Sequence, residues 1–367
     1  VTFGARALIR LGALKKNLRV IREAVPDAKV MAVIKANAYG HGMQAVARSL
    51  GDVDAFAVAR LPEAVHLHES GIDKPIVLLA GAITPRELSE AMLRGFEIVV
   101  HCVEQIELLE AANAAETTVW LKIDTGMNRL GFPPEKADSL LDRLRSCAAV
   151  GELRLMSHLA SADELDNLMT ADQFKRFRVV ANGFNGAVSV ANTPGALGWP
   201  QLANAQENLG FEGDHWIRPG LALYGVSPFA GRNGVDFGLR PVMQFEARLI
   251  AIKPLLEGAR VGYKGRYRCQ ADSVLGIISA GYGDGYTRHF RTGTPVLLNG
   301  RRVPLIGNVS MDMIAVDLGE SAADKVGDIA TLWGEDLPIE EIAPWADAIP
   351  YELVCGVTHR EVSEIVD

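Results

Sequence analysis

Long apolar runs are missing from this chain. No stretch reaches the ~18 residues that a membrane helix requires, so no membrane span is expected. Basic runs are missing too. The formal net charge of the 367 residues is -8, which argues against nucleic acid as a partner. Cysteine is scarce: Cys102, Cys147, Cys269 and Cys355 stand far apart, with no Cys-x-x-Cys and no zinc-type spacing. That pattern favours a reducing, cytoplasmic setting over a disulfide scaffold. The eight histidines form no ligand cluster, because His66 and His68, two apart on a predicted helix, cannot face one metal. No metal site is expected. Low-complexity segments are absent, as are repeats beyond a strand–helix unit. The chain starts at Val1 rather than Met and has no signal-peptide pattern there; whether a leader precedes it stays open.

What is present is a well-packed composition: 49% hydrophobic, 22% charged and a mean hydropathy of +0.12. Its length suits two domains. After a short strand over 5–10 and a helix over 11–24, apolar runs recur at 30–35, 55–59, 75–80, 96–101, 117–124, 153–158, 187–192 and 221–225. Between most of them lie amphipathic helix patterns, clearest at 61–69, 85–94, 103–112, 134–145 and 171–182. Eight buried strands alternating with helices predict an α/β fold: a (β/α)8 TIM-type barrel over residues 1–230, in preference to an open doubly wound sheet. A Ser-Pro/Gly/Asn break at 227–234 follows. Short β-rich runs with turn signals such as Asn299-Gly300 then predict a mostly-β C-terminal domain over 231–367, with which residues 1–10 may pair.

The predicted strand ends carry the chemistry. The first delivers Lys35 and then a turn with Tyr39 and His41. The fifth gives Lys122 and Asp124, then Arg129. The sixth gives His158, and the seventh Asn192 and Thr193 before Pro194. Arg218 and Gly220 precede the eighth. Barrels keep their active sites at this end of the strands and often bind phosphate with the last two loops. Each residue has a plain structural reading as well. Lys35 can be a strand-edge lysine that snorkels to water. Asn192-Thr193 can be a helix cap, and His158 a satisfied core histidine. Taken together, a lysine, a phosphate cradle and an arginine on neighbouring strand ends are what a pyridoxal-phosphate site needs.

Six blocks resemble the alanine racemases, in order along nearly the whole chain. They are Val33-Ile34-Lys35-Ala36-Asn37-Ala38-Tyr39-Gly40-His41-Gly42, the run from Leu121 to Gly131, Arg218-Pro219-Gly220-Leu221, Gly281-Tyr282-Gly283-Asp284-Gly285-Tyr286, Ser310-Met311-Asp312 and Pro350-Tyr351-Glu352-Leu353. The resemblance implies interconversion of L- and D-alanine on pyridoxal 5'-phosphate by two bases, in a homodimer that shares its sites between subunits. A broader small amino-acid racemase, acting for example on serine, is the alternative.

In that scheme Lys35 carries the cofactor and serves as one base, while Tyr282 of the partner subunit is the other. Arg218 meets the pyridine nitrogen. Tyr39, Thr193, Gly220, Leu221 and Tyr351 hold the phosphate, with Asn192 beside them. Arg129 and Met311 receive the substrate carboxylate, and His158 supports Arg218 and Tyr282. Lys122 matches a position that is carbamylated in many members. His41 receives no step. Racemisation removes a proton from one face of a carbon and returns one to the other, so two opposed bases are expected on chemical grounds alone. A decarboxylase on the same plan would favour an acidic residue at the pyridine nitrogen, where Arg218 stands. A non-catalytic pyridoxal-phosphate carrier would lack residues 231–367. Four positions depart from the family pattern: Ser189 for a histidine, Ser310 for a cysteine, Asn128 where glycine is frequent, and an ending at 358–362 without Arg-Val-Pro-Arg.

Overall fold

The computed structural model describes residues 4–112, 116–358 and 362–366. Residues 1–3 and 359–361, on which the expectations for the two chain ends partly rest, lie outside the described residues. A first strand, β1 (Arg6–Arg10), leads into the helix Leu11–Ala24. Eight parallel strands then close a barrel: β2 (Lys29–Val33), β3 (Ala55–Val58), β4 (Ile76–Leu78), β5 (Glu97–Val100), β6 (Thr117–Lys122), β7 (Val150–Met156), β8 (Val188–Asn192) and β9 (His215–Arg218). Closure is made by β9 on β2, with Lys29 opposite Trp216 and Val30 opposite Ile217. Strands β3, β4 and β5 are buried along their whole length, which is why they read as apolar runs, broken only by Glu97 at the start of β5.

One barrel strand is not where the sequence pattern puts it. Residues 221–225, expected as the eighth strand, begin with the 3₁₀ turn Leu221–Tyr224. The strand that closes the barrel is His215–Arg218, inside a stretch that reads as a weak, polar gap. His215 and Arg218 interrupt its hydrophobicity, and Pro219-Gly220 ends it. The shift moves Arg218 from a loop ahead of a strand to the C-terminal end of one.

The other end of the barrel is filled by charge. The Arg154 guanidinium lies 5.2 Å from the Trp120 ring and 5.5 Å from the Trp216 ring, and it pairs with Glu97 and Glu152. Stacked and doubly paired, the cation is compensated on every side.

The second sheet is built on a long strand, β10 (Met243–Leu255). A small ribbon, β11 (Arg260–Val261) with β12 (Tyr267–Arg268), follows it. Next come β13 (Ser273–Ile278), β14 (Pro295–Leu298), β15 (Arg301–Pro304), β16 (Ile314–Asp317), β17 (Ile329–Trp333) and β18 (Val362–Val366). The path runs β15-β14-β17-β10-β1-β18, with β13 pairing both β10 and β16. Strand β1 lies antiparallel to β10, Arg6 opposite Glu246, so the first strand of the chain belongs to the last sheet. The Asn299-Gly300 turn joins β14 to β15 with φ of 48° and 76°, the left-handed pair that a two-residue hairpin requires. Helical segments not expected in this half include Ile339–Ile342, Ala343–Ala346 and Pro350–Gly356. Tyr351 therefore sits on a helix rather than ahead of a strand. Among the described residues no helix is long and apolar enough to cross a membrane.

Asn17 ties the two halves together. From its buried place on the first helix its Nδ2 donates to the carbonyls of Leu223 (3.0 Å) and Arg240 (2.8 Å), and its Oδ1 accepts from the Arg240 N–H (2.7 Å). Glu340 fixes the connecting segment by accepting from the N–H groups of Ser227 and Gly234, both at 2.8 Å. Asn17→Leu conserves volume but strands three backbone groups. Its urea midpoint should fall by an amount equivalent to about 3 kcal/mol. A midpoint equal to that of the parent would show that Asn17 does not hold the junction.

Candidate active site

The lysine turn leaves β2 between its neighbours. The Val33 N–H donates to Pro219 O (2.9 Å) and the Ile34 N–H to Ala57 O (3.0 Å). The backbone then does something rare. Ala36, Asn37, Ala38 and Tyr39 all adopt φ of 52–54°, before Gly40 at 80°. A left-handed turn costs about 1–2 kcal/mol for each residue bearing a Cβ. Asn37 tolerates it best. Glu63 supports it from the next helix: its carboxylate accepts from the N–H of Ala36 (2.7 Å) on one oxygen and of Ala59 (2.8 Å) on the other. Asn37 Oδ1 accepts from the Met43 N–H (2.9 Å).

Five strand ends meet at this mouth. Lys35 is half-buried, and its ammonium is pulled below the usual lysine range by burial first and by Arg129 second. Lys122, at the end of β6, is lowered to about 8 by burial, Arg218, Arg129 and Lys35, against a weaker pull from Asp124. Arg218, at the end of β9, is buried and pushed down to about 9 by burial and Arg129, and it stays charged at neutral pH. His158, after β7, is held far below the ordinary histidine range by burial and then by Arg218, Lys122, Arg129 and Lys35. One field acts on all four.

Hydrogen bonds fix the arginine. Its Nη1 donates to Ser189 Oγ, which in turn donates to Trp216 O (2.8 Å). Its Nη2 donates to Ser157 O and lies 3.3 Å from His158 Nδ1. An arginine only donates, so His158 Nδ1 accepts and the ring proton sits on Nε2. Ser189, one of the departures noted above, thus supplies the supporting hydrogen bond itself. Arg129 stands exposed on a loop whose start is held by Asp124, which accepts from the N–H groups of Gly126 and Asn128. Asn128 takes φ of 55°, a left-handed conformation that asparagine tolerates and glycine adopts freely.

The β8 and β9 ends form a cradle. Thr193 Oγ1 accepts from the Gly220 N–H (2.9 Å), leaving its own proton free to point at an anion. Asn192 caps the following turn and ties it to Leu159 O. A Cβ on Gly220 would lie 2.7 Å from Tyr39 Oη, so only glycine leaves room there. Tyr351 brings its ring 5.9 Å from that of Tyr39. Burial and Tyr351 push the Tyr39 phenol up, and burial with Asp163 pushes Tyr351 up to about 12, so both hydroxyls remain donors. Leu221 is buried just behind them. Hydroxyl donors, a bare glycine and a surplus of cations fit a phosphate and a carboxylate.

Tyr282 and Met311 lie together elsewhere. The Tyr282 N–H donates to Ser310 O (3.0 Å) and the Gly283 N–H to Met311 O (2.8 Å). They are 41% and 51% exposed, and the groups that act on Lys35 are Arg129, Glu63 and Cys355. A second exposed tyrosine escaped the sequence reading. Tyr263 is 68% exposed on a turn in which Gly262, Lys264 and Gly265 have φ of 73°, 62° and 52°. Its carbonyl accepts from Asn308 Nδ2 (3.1 Å), at the start of the loop that carries Met311. The only signal in the sequence was a tyrosine between a glycine and a lysine ahead of a second glycine, which reads as a turn.

Comparison with known proteins gives one answer over the whole chain. The alanine racemase N-terminal domain model matches residues 9–228 and the alanine racemase C-terminal domain model residues 242–365. An alanine racemase of Vibrio parahaemolyticus is 46% identical over 358 residues, 97% of each chain. The biosynthetic alanine racemase of Escherichia coli is 45% identical over 366 residues, 99% of each. The crystal structure of the biosynthetic alanine racemase from Pseudomonas aeruginosa superimposes with a TM-score of 0.94 at 36% identity, covering both chains fully. None of these relatives speaks for a broader reading that includes serine.

The buried histidines set a pH limit. Burial holds His41 and His215 at about 4, and His158 is also held low. The unfolded chain binds these protons near pH 6.5 and the folded chain does not, so stability falls as pH drops from about 6.5 toward 4. Each histidine contributes about 1.4 kcal/mol per pH unit across that window. Urea midpoints at pH 7.5 and 5.0 should reveal the fall, and His215→Gln should flatten it; equal slopes in parent and variant would contradict this.

Proposed function

Because the chain belongs to the alanine racemase family, we propose that Lys35 and a tyrosine from a second copy of the chain face each other across alanine at the barrel mouth. The reaction is the interconversion of L-alanine and D-alanine, an isomerisation. The observation that carries the residue roles is the convergence of Lys35, Lys122, His158, Thr193 and Arg218 on five neighbouring strand ends, in one positive field.

The cradle suits pyridoxal 5'-phosphate, which when bound joins the substrate amine and draws electrons from its α-carbon. Thr193, Tyr39 and Tyr351 hold the phosphate by their hydroxyls, with Gly220 and Leu221 giving the space and Asn192 holding the turn. Arg218 would donate to the pyridine nitrogen and keep its own proton. Arg129 and the Met311 backbone receive the substrate carboxylate. Lys35, with its ammonium lowered, gives and takes the proton on one face. Four free thiols and the acidic composition suit the cytoplasm.

The other face needs a group this mouth does not contain. Tyr282 is the candidate from the motif, and Tyr263 is the one the geometry favours. Tyr263 is the more exposed, and strained turns of this kind gather at functional sites. Both lie beside the loop that carries Met311, so one docking of a partner subunit would bring all three to the mouth. Lys122 at about 8 keeps a share of neutral amine at neutral pH. That form adds to carbon dioxide and releases a proton, and the resulting carbamate would offset the surrounding cations and orient Arg129.

Tyr263→Phe should lower kcat by about 10²–10⁴-fold, while Tyr282→Phe costs less. Exchange of the α-proton with solvent from one enantiomer should outlast racemisation in Tyr263→Phe. A larger loss in Tyr282→Phe would return the role to Tyr282. Lys35→Ala should lose the visible absorbance of bound cofactor; retained absorbance would remove Lys35 from its role. Carbon-13 bicarbonate should give a carbamate signal that Lys122→Gln lacks.

A further inference from the structure

His41 is buried just beyond the left-handed turn, and nothing above gives it a task. Its Nδ1 lies 3.1 Å from Ala38 O and 2.9 Å from Tyr39 O. Carbonyls only accept, so Nδ1 carries the proton and the neutral ring keeps its lone pair on Nε2. The imidazole stacks on Tyr224, with centroids 4.4 Å apart and planes 26° apart. Tyr224 in turn donates its hydroxyl to Val33 O (3.2 Å) and lies 5.1 Å from the Tyr39 ring. The chain from Val33 to Tyr39 is thereby gripped at both ends. Val33, before Lys35, is held through Tyr224, and Ala38 and Tyr39, after Lys35, are held by the imidazole.

That grip addresses a specific difficulty. Within the turn the carbonyls of Ala36, Asn37 and Ala38 accept from the N–H groups of Gly40 (3.1 Å), Gly42 (3.0 Å) and His41 (3.1 Å), whereas the Tyr39 carbonyl takes its donor from the imidazole, and a buried carbonyl without a donor is costly. At the end of the turn Gly40 packs its backbone against Val354, where a Cβ would lie 2.2 Å from Val354 O, so no side chain is available there to hold the turn. The donor therefore has to be small, flat and neutral. A lysine or arginine would add another cation beside Lys35, whereas burial keeps His41 uncharged across the working range.

We propose that His41 is a positioning residue for the racemase: its Nδ1–H locks the left-handed turn and so sets the direction of Lys35 and the seat of Tyr39 Oη. The inference rests on the reading of Lys35 as the cofactor-bearing lysine. Asparagine places an amide N–H close to where Nδ1–H stands, and leucine fills the space without a donor.

The test compares the parent with His41→Leu, His41→Asn and Lys35→Ala. The readouts are pyridoxal-phosphate affinity by absorbance, the pH titration of the bound-cofactor band, kcat against KM for alanine, and deuterium uptake in peptides spanning 36–42. His41→Leu should bind cofactor about tenfold more weakly, the equivalent of one buried hydrogen bond. It should also shift the band's titration, lower kcat with little change in KM, and raise uptake in 36–42 alone. His41→Asn should restore most of this. A His41→Leu protein that binds and titrates like the parent overturns the proposal, as does a folded His41→Asn that restores nothing. If His41→Leu fails to fold, Tyr224→Phe takes its place. It should shift the titration in the same direction by less, and an unshifted band overturns the proposal. Retained absorbance in Lys35→Ala removes the lysine reading instead, and the uptake comparison still decides whether His41 locks the turn.

Discussion

Crowded positive charge at one end of a barrel governs this molecule. Lys35, Lys122, Arg129 and Arg218 share the C-terminal mouth, with Glu63 and Asp124 as the nearby carboxylates. Glu63 is engaged with backbone N–H groups of the lysine turn and its neighbours, and Asp124 with those of its own loop. The cations therefore face one another more than they face counter-charge. Lowered basicity at Lys35, Lys122, Arg218 and His158 follows from burial first and from that crowding second. The same constraint selects what binds. An anion entering the mouth relieves the repulsion, so a phosphate and a carboxylate are favoured before any shape is considered.

The strain in the lysine turn belongs to the same design. Four residues with Cβ atoms in left-handed conformation would not persist in an unsupported loop. They persist because Glu63 and His41 satisfy the Ala36 N–H and the Tyr39 carbonyl at the turn's two ends, its remaining carbonyls accept from the N–H groups of Gly40, Gly42 and His41, and Asn37 ties the turn to the Met43 N–H. A right-handed helix starting at Lys35 would satisfy those groups without help. It would also carry Tyr39 away from Gly220, where the missing Cβ leaves room for its hydroxyl. The unusual backbone thus keeps Lys35 and the Tyr39 hydroxyl, beside Gly220, in one short stretch at the mouth.

Most of the architecture was legible because it rests on local patterns. Leu11–Ala24 and Leu61–Glu69 match their apolar periodicity to the residue. Strands β2 to β6 and β8 announce themselves as largely buried runs, and Asn299-Gly300 announces its hairpin. The failures share a cause. His215–Arg218 was overlooked because His215, packed on Phe211, and Arg218, in the site, break its apolar pattern, whereas Leu221–Tyr224 imitates a strand by composition alone. Function had overwritten the pattern. Lys35, Lys122, His158 and Arg218 were legible as polar residues ending apolar runs. Tyr263 was not, since exposure and a strained turn are properties of the folded loop and leave no periodic trace.

The two ends of the barrel make the argument from opposite sides. At one end Arg154 is enclosed by two indole rings and two carboxylates, a cation with every demand met. Such a site has nothing to offer a ligand, and it closes the barrel. At the other end the cations outnumber their partners, a glycine withholds its side chain, and hydroxyls keep their protons. Only that end can gain by binding. Yet racemisation requires access to both faces of one carbon, and on the proposed reading Lys35 serves only one of them. The exposed tyrosines and Met311 on the second sheet supply the missing half only if another copy of the chain presents them. On that reading the incompleteness of the mouth, rather than an apolar patch, is what makes assembly necessary to the chemistry.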